Sequence, residues 1–162
     1  MPTSRPVQTQ SKLGEILEYY SDIEDLGNEM EEWRDNMPDS LQSLGKYQQV
    51  EEAADALASA ASELEEACTG IKEILKKTPT ILNVNIKYTY HKMYKGYQMP
   101  RWVRLANLCA ALEAAMQFLE GPFGIKPRDV SEEDFSALKS YMEQVDTALS
   151  DLQGVDFPTM FG

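Results

Sequence analysis

The chain has 162 residues, with 15 Lys and Arg against 27 Asp and Glu, for a formal charge of −12. At 43% hydrophobic residues it is no disordered acidic tail, and a domain of this length buries roughly 70% of its unfolded surface. No apolar run approaches the ~20 residues of a membrane span, and MPTSRPVQTQ lacks the apolar stretch of a secretory signal, so a soluble cytoplasmic protein is expected.

Residues 1–10, with two prolines and no periodicity, read as a flexible N-terminus ahead of a single helical domain over 11–162. Leu13, Ile16, Tyr20, Ile23, Leu26, Met30, Trp33 and Met37 then recur in steps of three and four. They predict a first helix over about 11–37, closed by Pro38. Tyr47, Val50, Ala54, Leu57, Ala61, Leu64, Cys68, Ile71 and Leu75 keep coiled-coil-like 3,4 spacing and predict a second helix over about 46–77. Ala53, Ala60 and Ala67 add small side chains beside that seam, which favours close antiparallel packing on the first helix.

After Pro79 the period changes. Leu82 to His91 alternates apolar or aromatic with polar residues, predicting a strand within an extended insertion over about 80–98. A second extended piece is expected from Met93 to Met99, bent at Gly96. A lone two-stranded ribbon is marginal in water, so the insertion should pack on helices or pair with another chain. Trp102, Leu105, Leu108, Cys109, Leu112, Met116 and Leu119 predict a third helix over about 100–120, begun at Pro100 and stopped by Gly121-Pro122. Ser131-Glu132-Glu133-Asp134 resembles a capping box and opens a fourth helix over about 131–153, with Phe135, Leu138, Met142, Val145, Leu149 and Leu152 on its apolar stripe. The closing VDFPTMFG is apolar enough to dock as an extended tail. The expected fold class is mainly α, a four-helix arrangement built on a long antiparallel helical hairpin, with a short β-strand or β-hairpin insertion.

Several chemistries lack their residues. Cys68 and Cys109 are too few for a disulfide framework or a cysteine-rich metal site, and both fall on apolar helix stripes as small buried hydrophobes. His91 is the only histidine, so neither a di-iron bundle nor a His-Glu-x-x-His zinc site can form. There is no nucleophile elbow and no phosphate-binding glycine loop. The expectation is a protein without enzymatic activity, metal or cofactor.

Charge is unevenly placed. Residues 1–69 carry −12, residues 70–104 carry +7 and residues 105–162 carry −7. Such blocks shape association more than fold. Within the basic block, Lys87, Tyr88, Tyr90, Lys92, Tyr94, Lys95, Tyr97, Arg101, Trp102 and Arg104 form a basic aromatic stretch. Tyr, Trp and Arg dominate protein-binding hot spots, while tyrosines that stack on bases and lysines that neutralise phosphates serve single-strand binders. The same side chains also suit a bland role, with tyrosines covering the core and cations pairing to acidic helices. The overall negative charge counts against nucleic acid. The second feature is an acidic row on the first helix: Glu15, Glu18, Asp22, Asp25, Glu29 and Glu32. Its carboxylates stand about 5 Å apart along the axis, a spacing that suits mimicry of a phosphate backbone as well as the plain wet face of an amphipathic helix.

The segment Glu31-Glu32-Trp33-Arg34-Asp35-Asn36-Met37-Pro38, followed by Leu41, Tyr47 and Val50-Glu51-Glu52-Ala53-Ala54-Asp55-Ala56-Leu57, resembles a helical hairpin of small bacteriophage and prophage proteins. The resemblance covers roughly residues 25–68. It implies an accessory protein in the cytoplasm of an infected bacterium, of a kind that binds and inhibits host factors. The resulting expectation is a protein-interaction protein with a protein partner. The alternatives are a nucleic-acid-binding accessory factor and a structural component of the virion. Opposite charge on separate segments also favours self-association, as a homodimer or larger assembly.

Overall fold

The computed structural model describes residues 4–41, 45–93, 99–121 and 124–158. The protein is mainly helical with a small two-stranded antiparallel sheet. In chain order the elements are β1 (Ser4–Lys12), α1 (Leu13–Ile16), α2 (Tyr20–Asp35), α3 (Gly45–Leu75), α4 (Pro79–Leu82), β2 (Asn85–Met93), α5 (Arg101–Glu120) and α6 (Glu132–Gln153), with one 3-10 turn at Asp39–Leu41.

Helix α3 is the axis of the molecule. Val50, Ala54, Leu57, Ala61, Leu64, Cys68, Ile71 and Leu75 are all buried, as are the flanking Ala53, Ala60 and Ala67. That apolar band is wide enough to serve two neighbours. On one side Gly27 of α2 lies against Leu57, where an added Cβ would stand 3.3 Å from the Leu57 Cβ. Just before α2, Glu18 accepts a 2.8 Å hydrogen bond from Lys72. As residue numbers fall along α2 they rise along α3, so the two helices run antiparallel. On the other side α6 also runs antiparallel to α3, with Gln144 donating to the Glu63 carbonyl (3.1 Å), Tyr141 on Gly70, and Lys77 donating to Asp134 (2.7 Å). The N-terminus of α6 is capped by the Ser131 hydroxyl, which accepts from the Asp134 amide at 3.1 Å. The Asp134 carboxylate itself pairs with Lys77, and that pairing holds it below the ordinary aspartate range.

Three expectations need correction. The N-terminus is a strand from Ser4 onward rather than a flexible lead: β1 pairs antiparallel with β2 from Ser4↔Met93 to Lys12↔Asn85. Its signal was hidden because the inward positions Thr9 and Ser11 are polar and only Val7 is apolar. The first helix does not begin at Ser11, which lies in β1, and it is interrupted between α1 and α2. Around Glu18–Asp22 the backbone bonds tighten from i→i−4 to i→i−3, as in Glu18 to Glu15 and Tyr19 to Ile16. Leu13, Ile16, Leu17 and Ile23 all stay buried through this interruption. The expected insertion opens on a helical turn, α4, with Pro79 in its first turn. The partner of β2 is β1, some eighty residues away; the second extended piece proposed for Met93–Met99 falls mostly on residues 94–98, outside the described residues.

The remaining elements close the core. α5 packs on β2 and α6, and Val155 and Phe157 lie partly buried on the core. Cys68 and Cys109 are buried free thiols, and burial pushes both up to about 12. Such thiols are poor nucleophiles.

The α3–α6 contact makes a direct prediction. At Gly70 a methyl group would fall onto the Tyr141 ring, and the crowding should outweigh the ~1 kcal/mol by which Ala improves on Gly in a helix. Gly70→Ala should destabilise the protein by about 1–3 kcal/mol in urea denaturation. Combined with Tyr141→Ala it should cost clearly less than the sum of the two single changes.

Candidate functional site

Three elements, α2, β2 and α5, enclose a cleft of about 380 Å³, lined by Tyr19, Asp22, Asp25, Leu26, Tyr88, Tyr90, Met99, Arg104, Asn107 and Leu108. The periodicities explain the lining. Asp22, Asp25 and Leu26 share one side of α2, and Arg104, Asn107 and Leu108 repeat that i, i+3, i+4 pattern on α5. Tyr88 and Tyr90 are two residues apart on one face of β2, opposite Thr9 and Val7.

Asn107 holds the sheet to α5. It is buried, and its side-chain Oδ1 accepts from the His91 amide (2.8 Å) while its Nδ2 donates to the His91 carbonyl (3.0 Å). One side chain thus supplies both bonds that a neighbouring strand would give. In the register His91 faces Pro6, and its bonds to Asn107 mark this as a pair whose backbone groups point away from each other. His91 directs its backbone groups away from β1, and Pro6 occupies the strand position where a missing donor is tolerated. The His91 ring lies on the other face, 3.5 Å from the Ser4 hydroxyl.

The cleft floor carries a hydroxyl chain. Tyr19 donates to the Ser11 oxygen at 3.0 Å, and Ser11 lies 3.1 Å from the Tyr88 hydroxyl. Burial pushes the Tyr19 phenol up to about 12, with the Tyr88 hydroxyl adding to the rise and the Ser11 bond opposing it. At the cleft's end Glu29 accepts from Arg104 twice, at 2.9 and 2.6 Å, and from Arg101 at 3.1 Å. The Arg101 guanidinium also lies 5.6 Å from the centre of the Trp33 ring. The Arg104 bonds hold the Glu29 carboxyl below the usual glutamate range, and the same bonds raise Arg104.

The two sequence features therefore meet. From the basic aromatic stretch, Tyr88, Tyr90 and Arg104 line the cleft, and Arg101 joins Arg104 on Glu29. Trp102, expected on the apolar stripe of its helix, is instead 59% exposed. Lys87 and Lys92 are exposed but fall on opposite faces of β2, since their numbers differ by an odd step. Tyr94, Lys95 and Tyr97 lie outside the described residues. From the acidic row, Asp22 and Asp25 line the cleft, Glu18 and Glu29 are taken by Lys72 and the two arginines, and Glu15 and Glu32 are exposed. The row does not run along one uninterrupted helix. Sequence reasoning passed over Asn107, although an amide among the apolar residues of a helix signals a buried polar group with a partner. Tyr19, Met99 and Ser11 gave no local signal.

Among the described residues, no three His, Cys, Asp or Glu side chains gather where a metal ion could be held, and no helix is long and apolar enough to cross a membrane. Comparison with family models, with curated proteins and with solved structures finds no match.

Two expectations follow. Asn107→Leu strands the His91 amide and carbonyl, each at about 1–3 kcal/mol when buried. The variant should lose about 2 kcal/mol or more in urea denaturation, and its His91 amide should exchange faster with solvent. Glu29→Gln removes a half-buried carboxylate that accepts three bonds from two arginines and should cost about 1 kcal/mol at neutral pH, after allowance for solvent screening. Because the folded Glu29 titrates below its unfolded counterpart, this stabilisation is complete above the ordinary glutamate range. It disappears as pH falls through the lowered folded value. The difference in stability between parent and variant should accordingly vanish at strongly acidic pH.

Proposed function

We propose that the chain is a non-enzymatic protein-interaction protein, phage-encoded and acting in the bacterial cytoplasm, that binds and inhibits a host protein. Its frame is the four-helix arrangement of α2, α3, α5 and α6, built on the α2–α3 hairpin. Its contact surface is the first turn of α5 with the adjoining cleft. The observation that carries this reading is Trp102, left 59% exposed beside Arg101 and Arg104. Trp is one of the residue types enriched in binding hot spots, with Tyr and Arg.

The charge arrangement favours a protein over nucleic acid. Arg101 and Arg104 are already paired with Glu29, and breaking those bonds to reach phosphates would strand a carboxylate. Lys87 and Lys92 on opposite faces of β2 do not make a single basic track. The opposite charge of the chain's segments supports self-association as an additional property.

The test is affinity capture from bacterial lysate with tagged wild-type and Trp102→Ala protein, each with and without nuclease. One stoichiometric protein should survive nuclease and fall at least about tenfold with Trp102→Ala, in line with a hot-spot contribution of 2 kcal/mol or more. Capture that depends on nucleic acid, or a partner indifferent to Trp102, would overturn the reading.

A further inference from the structure

From the same cleft we infer that its occupant is a cationic side chain, Arg or Lys, presented by the protein partner; this rests on the interaction reading above. Cleft and ion cluster adjoin: beyond Met99 and Arg104 lies a smaller space of about 230 Å³ lined also by Glu29, Pro100 and Arg101. Across the two there are three carboxylates, Asp22, Asp25 and Glu29, and two guanidiniums, Arg101 and Arg104. Both guanidiniums are bonded to Glu29. The Asp22 and Asp25 side chains make neither hydrogen bond nor ion pair among the described residues, although both act electrostatically on Arg104. One negative charge is therefore left over, and it belongs to the two carboxylates at the cleft.

The rest of the lining suits an organic cation better than a metal ion. Tyr19, Tyr88 and Tyr90 supply aromatic rings, which attract cations through their quadrupoles. Leu26, Leu108 and Met99 give the apolar contact that an aliphatic stem needs. The hydroxyls of Tyr19 and Tyr88 are engaged with Ser11, so the carboxylates remain the principal acceptors for an incoming N–H. The volume, about 380 Å³, lies at the lower end of the range for ligand sites, suited to one side chain rather than a folded ligand. Arg104 faces the same space, but it stays bonded to Glu29 and does not neutralise both aspartates.

The test uses the full chain with 13C-labelled tyrosine rings and four probes: N-acetyl-arginine methylamide, N-acetyl-lysine methylamide, the glutamine analogue as a neutral control, and tetramethylammonium. The arginine or lysine probe should shift the Tyr19, Tyr88 and Tyr90 ring resonances saturably, with a dissociation constant on the order of 1 mM. In an Asp22→Asn/Asp25→Asn variant this binding should weaken about tenfold. Both aspartates are exposed, so the fold should survive, and unchanged resonances of core methyl groups check this. Equal shifts with the glutamine probe, no saturation, or indifference to the double substitution would overturn the inference. Tetramethylammonium binding as well as the arginine probe would overturn it too, because a site for a basic side chain uses N–H donors. Failure here can be told from failure of the interaction reading. Trp102-dependent capture that ignores Asp22 and Asp25 overturns this inference alone, whereas cation binding without any captured protein overturns the partner.

Discussion

A two-stranded ribbon has too little apolar face to stand alone in water, and the cleft of this protein depends on how its ribbon is held. One edge of β2 is completed by β1 and the other is occupied at His91 by the Asn107 amide. Pro6 is tolerated in this arrangement. As the residue opposite His91 it removes a donor where none is needed, and its fixed geometry suits an extended strand. Ser11 then links the ribbon to Tyr19 at the start of α2. The sheet is thus tied to two helices through hydrogen bonds, with Ile86 as its one deeply buried aliphatic anchor.

Electrostatics divides the acidic surface into committed and uncommitted groups. Glu18 and Glu29 each meet cations contributed by segments far away in sequence, Lys72 on α3 and the two arginines on α5. The +7 block is therefore partly an internal counterweight to the acidic helix. Exposed pairs of this kind contribute little stability individually. Glu29 differs because two guanidiniums converge on it with three hydrogen bonds, and Trp33 backs one of them. That cluster fixes α5 against α2 at one end of the cleft.

The helices were legible where one face was buried and the other wet. The 3,4 spacing of α3 and α6 marked their buried residues, because each repeats an apolar stripe against a neighbour. The strand β2 was legible from its alternation. Its partner was not: β1 carries Gln8, Thr9, Gln10 and Ser11, residues whose pairing is decided by the tertiary position of β2 and not by local pattern. The exposure of Trp102 was likewise invisible, since an apolar residue at helical spacing reads as core until the neighbouring elements are placed. The acidic row and the basic aromatic stretch were each visible as patterns. Their meeting across one cleft is a long-range contact between α2, β2 and α5, which no window of sequence contains.

The three walls of the cleft are held by several contacts, two of which join one wall to another. α2 is seated on α3 through the close approach at Gly27 and Leu57. β2 is held by its ladder to β1 and by Asn107, and α5 by Glu29 and by its packing on α6. None of these anchors uses Asp22 or Asp25, and none uses the exposed ring of Trp102. Asp22, Asp25 and Trp102, which we propose meet a partner, are thereby separate from the groups that hold the walls. On that proposal the walls are already in place before binding, so little conformational freedom is lost and more of the contact energy remains as affinity. The same separation means that the charges of Asp22 and Asp25 and the ring of Trp102 can change without loss of the fold, whereas Tyr19, Tyr88 and Arg104 also hold the walls.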